Sequence, residues 1–322
     1  MLYLSQDTLN EIGIAWHDTV EVIGQAIRIC AAADFAQPIK PYLRYGNPVN
    51  RIIAMPAFIG GGIHLAGIKW IASFPGNLEK GIARAHAVII LNDADTGVPV
   101  CVIGTALIST IRTAGVTGWL LGQWLAWKRP AGRLRAGICG FGPVGRQHLA
   151  MIGALLGERL EAVYLYDRGG IPADALPRDT PFRIVVCDSW QEAYAEADLF
   201  MTCTVSTHRY IDLPPKKGSL HLNVSLRDYQ PAFLRHVTRV IVDSWDEVCR
   251  QDTDVERMSL EMGLRQSDTL SVGEVLAGGL GQVTDPDAVF MFNPMGMAVF
   301  DIAVAGQYYE AARQRGVGQV LA

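Results

Sequence analysis

From Leu134 onward the chain alternates short apolar runs with segments of helical periodicity. The runs LRAGICG (134–140), AVYLYD (162–167), FRIVVCD (182–188), LFMTCTV (199–205), LHLNVS (220–225) and RVIVDS (239–244) predict strands. Between the first two, Val144, Leu149, Ile152 and Leu156 recur at helical spacing, and Ser189-x-x-Glu192 opens SWQEAYAEA as a capping box. The runs are continuous in aliphatic residues rather than alternating. That predicts strands covered on both faces, as in a parallel, doubly wound α/β sheet.

The first 130 residues carry a different pattern. A helix is expected over 19–33, then β-like runs RIIAMPAFI (51–59), HLAGIKWIA (64–72), HAVIILND (86–93) and PVCVIGTALI (99–108). DADTG (93–97) joins the last two as a hairpin-like turn. A helix rich in tryptophan (Trp119, Trp124, Trp127) follows from Ser109, and KRPAG (128–132) reads as a linker. After Asn293 the segment NPMGMAVFDIAVAGQYYEAARQ is helical and does not belong to the α/β block. Two domains are expected: a discontinuous α+β one over 1–129 and 295–322, and a Rossmann domain over 130–294.

Composition narrows the function classes. Of 322 residues, 50% are apolar and 19% charged, which excludes a disordered or fibrous chain. A net charge of −4 gives no basic field for nucleic acid. The longest near-apolar stretch, between Arg112 and Lys128, is broken by Thr113, Thr117 and Gln123 and is too short to span a bilayer. The opening MLYLSQDTLNEIG lacks a basic region followed by an apolar one, so a cytoplasmic protein is expected. The six cysteines are scattered without a CxxC pair and read as small buried hydrophobes in a reducing compartment. No histidine or carboxylate spacing suggests a metal site.

Gly140-Phe141-Gly142-Pro143-Val144-Gly145 follows an apolar strand and opens an apolar helix, the context in which GxGxxG binds a dinucleotide. Asp167 closes the next strand, where a carboxylate accepts from the adenosine ribose and disfavours a 2′-phosphate; NAD is the expected cofactor, with Arg168 beside it pulling the other way. Thr202, Thr204 and Val205, then Asn223, Val224 and Ser225, end the fourth and fifth strands, whose carboxyl ends line the cofactor crevice in such sheets.

The N-terminal region places Lys40, Arg44, Arg51, Lys69, Arg84 and Arg112 in or beside β-like segments. Lys40 and Arg51 read as solvated surface. Lys69 sits inside AGIKWIA, where an ammonium needs an anionic partner or a lowered pKa. Arg112 lies in the apolar ALISTIRTAGV, and its guanidinium suits a substrate carboxylate. Asp228, in LNVSLRD, is by spacing alone a turn or N-cap residue ahead of Pro231; the functional alternative is a general base.

RIIAMPAFIGG, AGIKWI, VIILNDADTGVPV, LISTIRTAG, GFGPVG, TCTVS, LNVSLRD and NPMGMAVFDIAVA together resemble the ornithine cyclodeaminase/μ-crystallin family over nearly the whole chain. The resemblance implies an NAD(P)-dependent enzyme acting on amino acids through an imine, as a homodimer built through the non-Rossmann domain. It implies that Lys69 and Arg112 bind substrate, that Arg44 binds its carboxylate, and that Asp228 and Lys69 are catalytic. Arg112 with Thr113, and Met295 with Gly296, are expected to border the cofactor. Three features depart from ornithine cyclodeaminases: DYQPAF after the catalytic aspartate, Gly81-Ile82-Ala83-Arg84 in place of a Pro-Thr element, and Asn293-Pro294-Met295-Gly296 in place of a serine before the late glycine. These, with KPYLR and GIKWI, are similar to the subgroup that oxidises N-(2-amino-2-carboxyethyl)-L-glutamate with NAD and hydrolyses the imine to 2,3-diaminopropionate and 2-oxoglutarate, a step of siderophore and peptide biosynthesis. Gaining Arg84 suits a substrate with several carboxylates better than a diamine, because like charges repel. The alternatives are an ornithine cyclodeaminase, an alanine or imino-acid dehydrogenase, and a non-enzymatic ligand-binding protein of the μ-crystallin type.

Overall fold

The structure, a computed structural model, describes residues 1–280 and 283–321. Its chain divides into two units, Met1–Arg112 with Gly296–Ala322 and Thr113–Met295. Both boundaries between the units differ from expectation. The division falls inside the long helix rather than at the KRPAG linker after it, and the chain returns to the first unit at Gly296 rather than 295. No helix among the described residues is long and apolar enough to cross a membrane.

The first unit is built on a mixed, mostly antiparallel sheet. Its strands are β1 (Leu2–Leu4), β2 (Phe35–Ala36), β3 (Tyr42–Leu43), β4 (Arg51–Ile59), β5 (Leu65–Ser73), β6 (Ala85–Asp93) and β7 (Pro99–Ile103), with a closing strand at Gln319–Val320. The order is closing strand, β1, β7, β6, β5, β4, β2, with β3 also paired to β4. Neither β1 nor the closing strand was expected, both being too short to show a period. The 99–108 run is divided: the strand stops at Ile103, and helical residues begin at Leu107.

Register decides which face of this sheet is core. Met55 pairs with Lys69 and Lys69 with Ile89, while Ala54 pairs with Trp70 and Trp70 with Val88. Side chains alternate across a strand. The first set, with Ala57, Ile59 and Leu91, is buried; Trp70 and Val88 are 43% and 40% exposed. Helix α2 (Trp16–Ala31) and the C-terminal helix Ala298–Arg315 pack together in this unit, and the latter covers β4, β5 and β6. Gly67 permits the close approach, since a Cβ there would stand 2.3 Å from Ile90 O and 3.0 Å from Ile302 Cδ1. A short helix α1 (Gln6–Ile12), capped by Ser5 Oγ, precedes α2, and α3 (Leu107–Lys128) leaves the unit after Arg112.

The second unit is a parallel sheet in the order β10, β9, β8, β11, β12, β15, β13, β14. The strands are β8 (Leu134–Cys139), β9 (Leu160–Tyr166), β10 (Arg183–Val186), β11 (Leu199–Thr202), β12 (Leu220–Asn223), β13 (Arg239–Val242), β14 (Thr269–Ser271) and β15 (Phe290–Asn293). Every pairing in it is parallel. This is the doubly wound α/β arrangement that the continuous apolar runs predict, and β8, β11, β12 and β15 carry buried side chains throughout apart from Arg135. Helices α4 (Pro143–Leu156), α5 (Trp190–Ala195), α6 (Trp245–Val248), α7 (Asp254–Met262) and α8 (Val272–Gly278) complete it. Strands β14 and β15 were not anticipated. The order reverses between β8 and β11, the switch point where such sheets open a crevice at their carboxyl ends.

Candidate active site

The glycine-rich segment leaves β8 at this switch point, and each glycine has its own reason. Gly140 has φ +89°, and a Cβ there would lie 2.5 Å from Cys203 O, just beyond β11. A Cβ on Gly145 would lie 2.0 Å from Gly140 O, so the third glycine brings helix and loop together. Gly142, the N-cap of α4, has nothing within 4 Å of the position a Cβ would take. Open space before a helix N-terminus, with Pro143 and Val144 as its first residues, is the shape and polarity a pyrophosphate needs. The residues present therefore fit a dinucleotide.

The neighbouring candidates divide. Asp167 follows β9, and its carboxylate accepts from Phe141 N at 2.7 Å and Gly169 N at 2.8 Å, so it is fastened to the glycine loop itself. Arg168 beside it is exposed. Val205 is exposed in the loop after β11, and Val224 is half-buried after β12. Thr202 and Asn223 face each other instead, Thr202 Oγ1 donating to Asn223 Oδ1 at 3.0 Å, both fully buried. Asn223 Nδ2 donates as well to Asp254 Oδ2 and Asn293 Oδ1, so these buried polar groups are paired with one another. Thr204 and Ser225 both donate to Asp228, through Oδ1 and Oδ2 respectively. Met295 N donates to Asp243 Oδ1 at 3.0 Å. Thr113 is half-buried in α3.

Asp228 is itself fully buried in the loop after β12. Its backbone carbonyl accepts from Tyr210 N and Ile211 N, both at 2.8 Å. It is not an N-cap, and a buried carboxylate with hydroxyl donors on each oxygen goes beyond the turn role that spacing favours.

In the first unit Lys69 and Arg112 converge on one carboxylate that the sequence reading did not single out. Lys69 Nζ stands 2.8 Å and Arg112 Nε 3.0 Å from Asp301 Oδ1, with Lys69 1% exposed and Asp301 wholly buried. Asp301 Oδ2 has no hydrogen-bond partner among the described residues. Burial pushes the Lys69 ammonium down to about 7; Asp301 opposes that shift, while Arg112 and Lys40 add to it. The signal for Asp301 was present, since it is a lone carboxylate inside the apolar MAVFDIAVA, the complement of Lys69 inside AGIKWIA.

Lys40 corrects the expectation of a solvated surface residue. It is 5% exposed and donates to Gly296 O at 2.9 Å. Gly296, at φ +87°, lies so close to Arg112 that a Cβ would meet Nη1 at 2.5 Å. The late glycine is therefore the floor under the Arg112 guanidinium.

The other arginines gather at one end of the sheet. Arg51 pairs with Ser73 and Ser73 with Ala85, and Phe74 N donates to Arg84 O at 2.9 Å. Arg44 and Arg51 each lie 5.5 Å from the Tyr42 ring, within cation–π range. Arg44 is exposed and donates to Pro48 O at 2.9 Å; Arg84 is half-buried.

The chain as a whole is similar to known proteins. The profile of the ornithine cyclodeaminase/mu-crystallin family matches residues 2–316. The chain is 32% identical to the N-((2S)-2-amino-2-carboxyethyl)-L-glutamate dehydrogenase of Staphylococcus aureus (strain NCTC 8325 / PS 47), covering 100% of this chain and 98% of that protein. Among solved structures it resembles the Δ1-pyrroline-2-carboxylate reductase of Thermococcus litoralis in complex with NADH and L-proline (TM-score 0.86, 21% identity, 100% of both chains). It also resembles an archaeal alanine dehydrogenase dimer with bound NAD (TM-score 0.85, 23% identity, 100% of this chain and 99% of that one). The chain belongs to the ornithine cyclodeaminase/mu-crystallin family.

Proposed function

We propose that the chain is an NAD-dependent dehydrogenase that converts N-(2-amino-2-carboxyethyl)-L-glutamate to 2,3-diaminopropionate and 2-oxoglutarate. The observation that carries this reading is the convergence of Lys69 and Arg112 on the buried carboxylate of Asp301, with Lys40 near enough to act on the Lys69 charge. Cationic groups gathered in this way suit substrate carboxylates and disfavour a diamine, because like charges repel. The full-length relative at 32% identity is named for this activity.

In this reading Gly140, Gly142, Pro143 and Val144 cradle the NAD pyrophosphate, and Asp167 serves the ribose. When bound, NAD supplies the hydride acceptor. Lys69 and Arg112 bind substrate carboxylate, Arg44 and Arg84 take the others, and Asp301 holds the two inner cations in place. Loss of hydride from the glutamyl Cα leaves a C=N bond to the secondary nitrogen. Asp228 accepts a proton from the water that adds to that carbon, and the carbinolamine then breaks its C–N bond to release the amine. Substrate, NAD+ and water thus give 2-oxoglutarate, 2,3-diaminopropionate, NADH and a proton.

The open sheet face around Trp70 and Val88, continued by Ala54, Pro56, Phe58, Ile68 and Ile90, supports a homodimer through the first unit. Incubation of the purified protein with NAD and the aminocarboxyethyl-glutamate tests the reaction: NADH should appear together with 2-oxoglutarate and 2,3-diaminopropionate by mass spectrometry. Silence with that substrate, with turnover of L-proline, L-alanine or L-ornithine instead, refutes it in favour of the imino-acid or cyclodeaminase alternatives. Cofactor binding without turnover of any of these points to a ligand-binding protein.

A further inference from the structure

We infer that Asp254, gripped by Arg209, is a positioning residue that aims Asp228; the inference rests on the catalytic reading of Asp228 above. Asp254 is the first residue of α7 and is wholly buried. Its Oδ2 accepts three hydrogen bonds, from Asp228 N at 3.0 Å, Tyr229 N at 3.1 Å and Asn223 Nδ2 at 3.0 Å. Its Oδ1 accepts from Arg209 Nε at 2.8 Å. Arg209 is fixed in turn, donating through Nη2 to Asp252 O at 2.6 Å, while its own carbonyl accepts from Gln230 Nε2 at 2.6 Å.

The loop so held is strained. Leu226 has φ +63°, the left-handed region that a branched side chain rarely enters. Leu226 O accepts from Asp254 N at 2.8 Å, and Leu226 N donates to Asn223 Oδ1 at 3.1 Å. This turn brings the amides of Asp228 and Tyr229 onto one carboxylate oxygen. Burial raises the Asp254 carboxyl above its ordinary range, and the Tyr229, Asn223 and Asp228 donors oppose that shift. A buried charge is an expensive way to hold a loop; what it adds is short, stiff, charge-assisted bonds. Asp228 is held through both backbone groups, its amide on Asp254 and its carbonyl on Tyr210 and Ile211, and Thr204 and Ser225 donate to its side chain. Catalytic groups need this kind of support to stay within productive range of the reacting carbon.

The test compares Asp228→Asn, Asp254→Asn, Arg209→Met and Arg209→Lys with the parent, using NAD and the aminocarboxyethyl-glutamate. Rates are expressed per NADH-binding site, counted by fluorescence titration. Asp254→Asn and Arg209→Met should each lower kcat about a hundredfold, the penalty for misplacing a reacting group by about 1 Å. KM for both substrates and the NADH affinity should stay near parental, and Arg209→Lys should recover part of the loss. A clamp that is merely structural would lower the melting temperature while leaving kcat per site intact, and that result overturns the inference. If Asp254→Asn does not fold, the two Arg209 variants decide the question by the same criterion. An active Asp228→Asn would overturn the catalytic reading and the inference together, whereas an inactive Asp228→Asn beside fully active Asp254 and Arg209 variants overturns the inference alone.

Discussion

Two influences compete for the proton on Lys69. Burial drives the ammonium toward neutrality, and Asp301 at 2.8 Å holds the charge, leaving a pKa of about 7 against the ordinary 10.5. The sign follows from proton counting: between about 7 and 10.5 the unfolded chain binds a proton there that the folded chain does not, so this group makes stability rise with pH across that window. Replacing Lys69 by Met should flatten that rise in urea titrations at a series of pH values. The same proton governs ligand binding. KM for a carboxylate substrate should climb as pH rises through about 7, and Lys69→Arg should hold it flat over that range because a guanidinium stays charged. Asp301→Asn leaves Lys69 and Arg112 without their shared counter-ion. It should reduce stability by about 3–5 kcal/mol below pH 7 and by less above it, where Lys69 is neutral; chemical denaturation at two pH values checks this. Lys69 was visible in the sequence because a charge inside an apolar strand demands an explanation. Its partner was not identified, because 232 residues separate Lys69 from Asp301 and no periodicity links them.

At the scale of elements, the glycine-rich turn carries the clearest contrast. Gly142→Ala places a methyl where the structure has no atom within 4 Å. The variant should fold with stability within about 0.5 kcal/mol of the parent. It should nonetheless bind NAD at least about tenfold more weakly, a loss of about 1.4 kcal/mol, because the methyl occupies the approach of the pyrophosphate. Gly145→Ala should fail differently, losing stability itself, since its Cβ would meet Gly140 O at 2.0 Å. Thermal unfolding together with calorimetric NAD titration separates the two. This turn was legible because Gly140 and Gly145 stand where the fold itself admits only glycine, while Gly142 leaves room for a ligand, so the requirement is written in residue type. Strands β14 and β15 were not anticipated; β13 pairs with both of them, and that pairing defines them as strands.

For the whole molecule, the open apolar face of the first sheet has the largest consequence. Burying a side chain such as Trp70 or Val88 is worth about 1.5–3 kcal/mol. Trp70→Asp or Val88→Lys should therefore convert a dimer into monomers by light scattering, with the far-ultraviolet dichroism unchanged; a monomeric parent would remove the dimer from the proposal. The expected domain boundary failed at this scale. KRPAG has linker composition, but α3 is buried on every side from Ala114 to Leu121, and which part of it belongs to which unit depends on what packs against it.

The sequence by itself determined the class of each half and the location of its chemistry. Continuous apolar runs oblige a two-sided sheet, glycines oblige a tight loop before a helix, and a charge in an apolar strand obliges a partner. Only the tertiary structure decided who those partners are. It placed Asp301 between Lys69 and Arg112, Lys40 on Gly296, and Asp254 under the amides of Asp228 and Tyr229. These choices depend on distances between residues far apart along the chain, and local pattern contains the demand for a counter-charge but not its address.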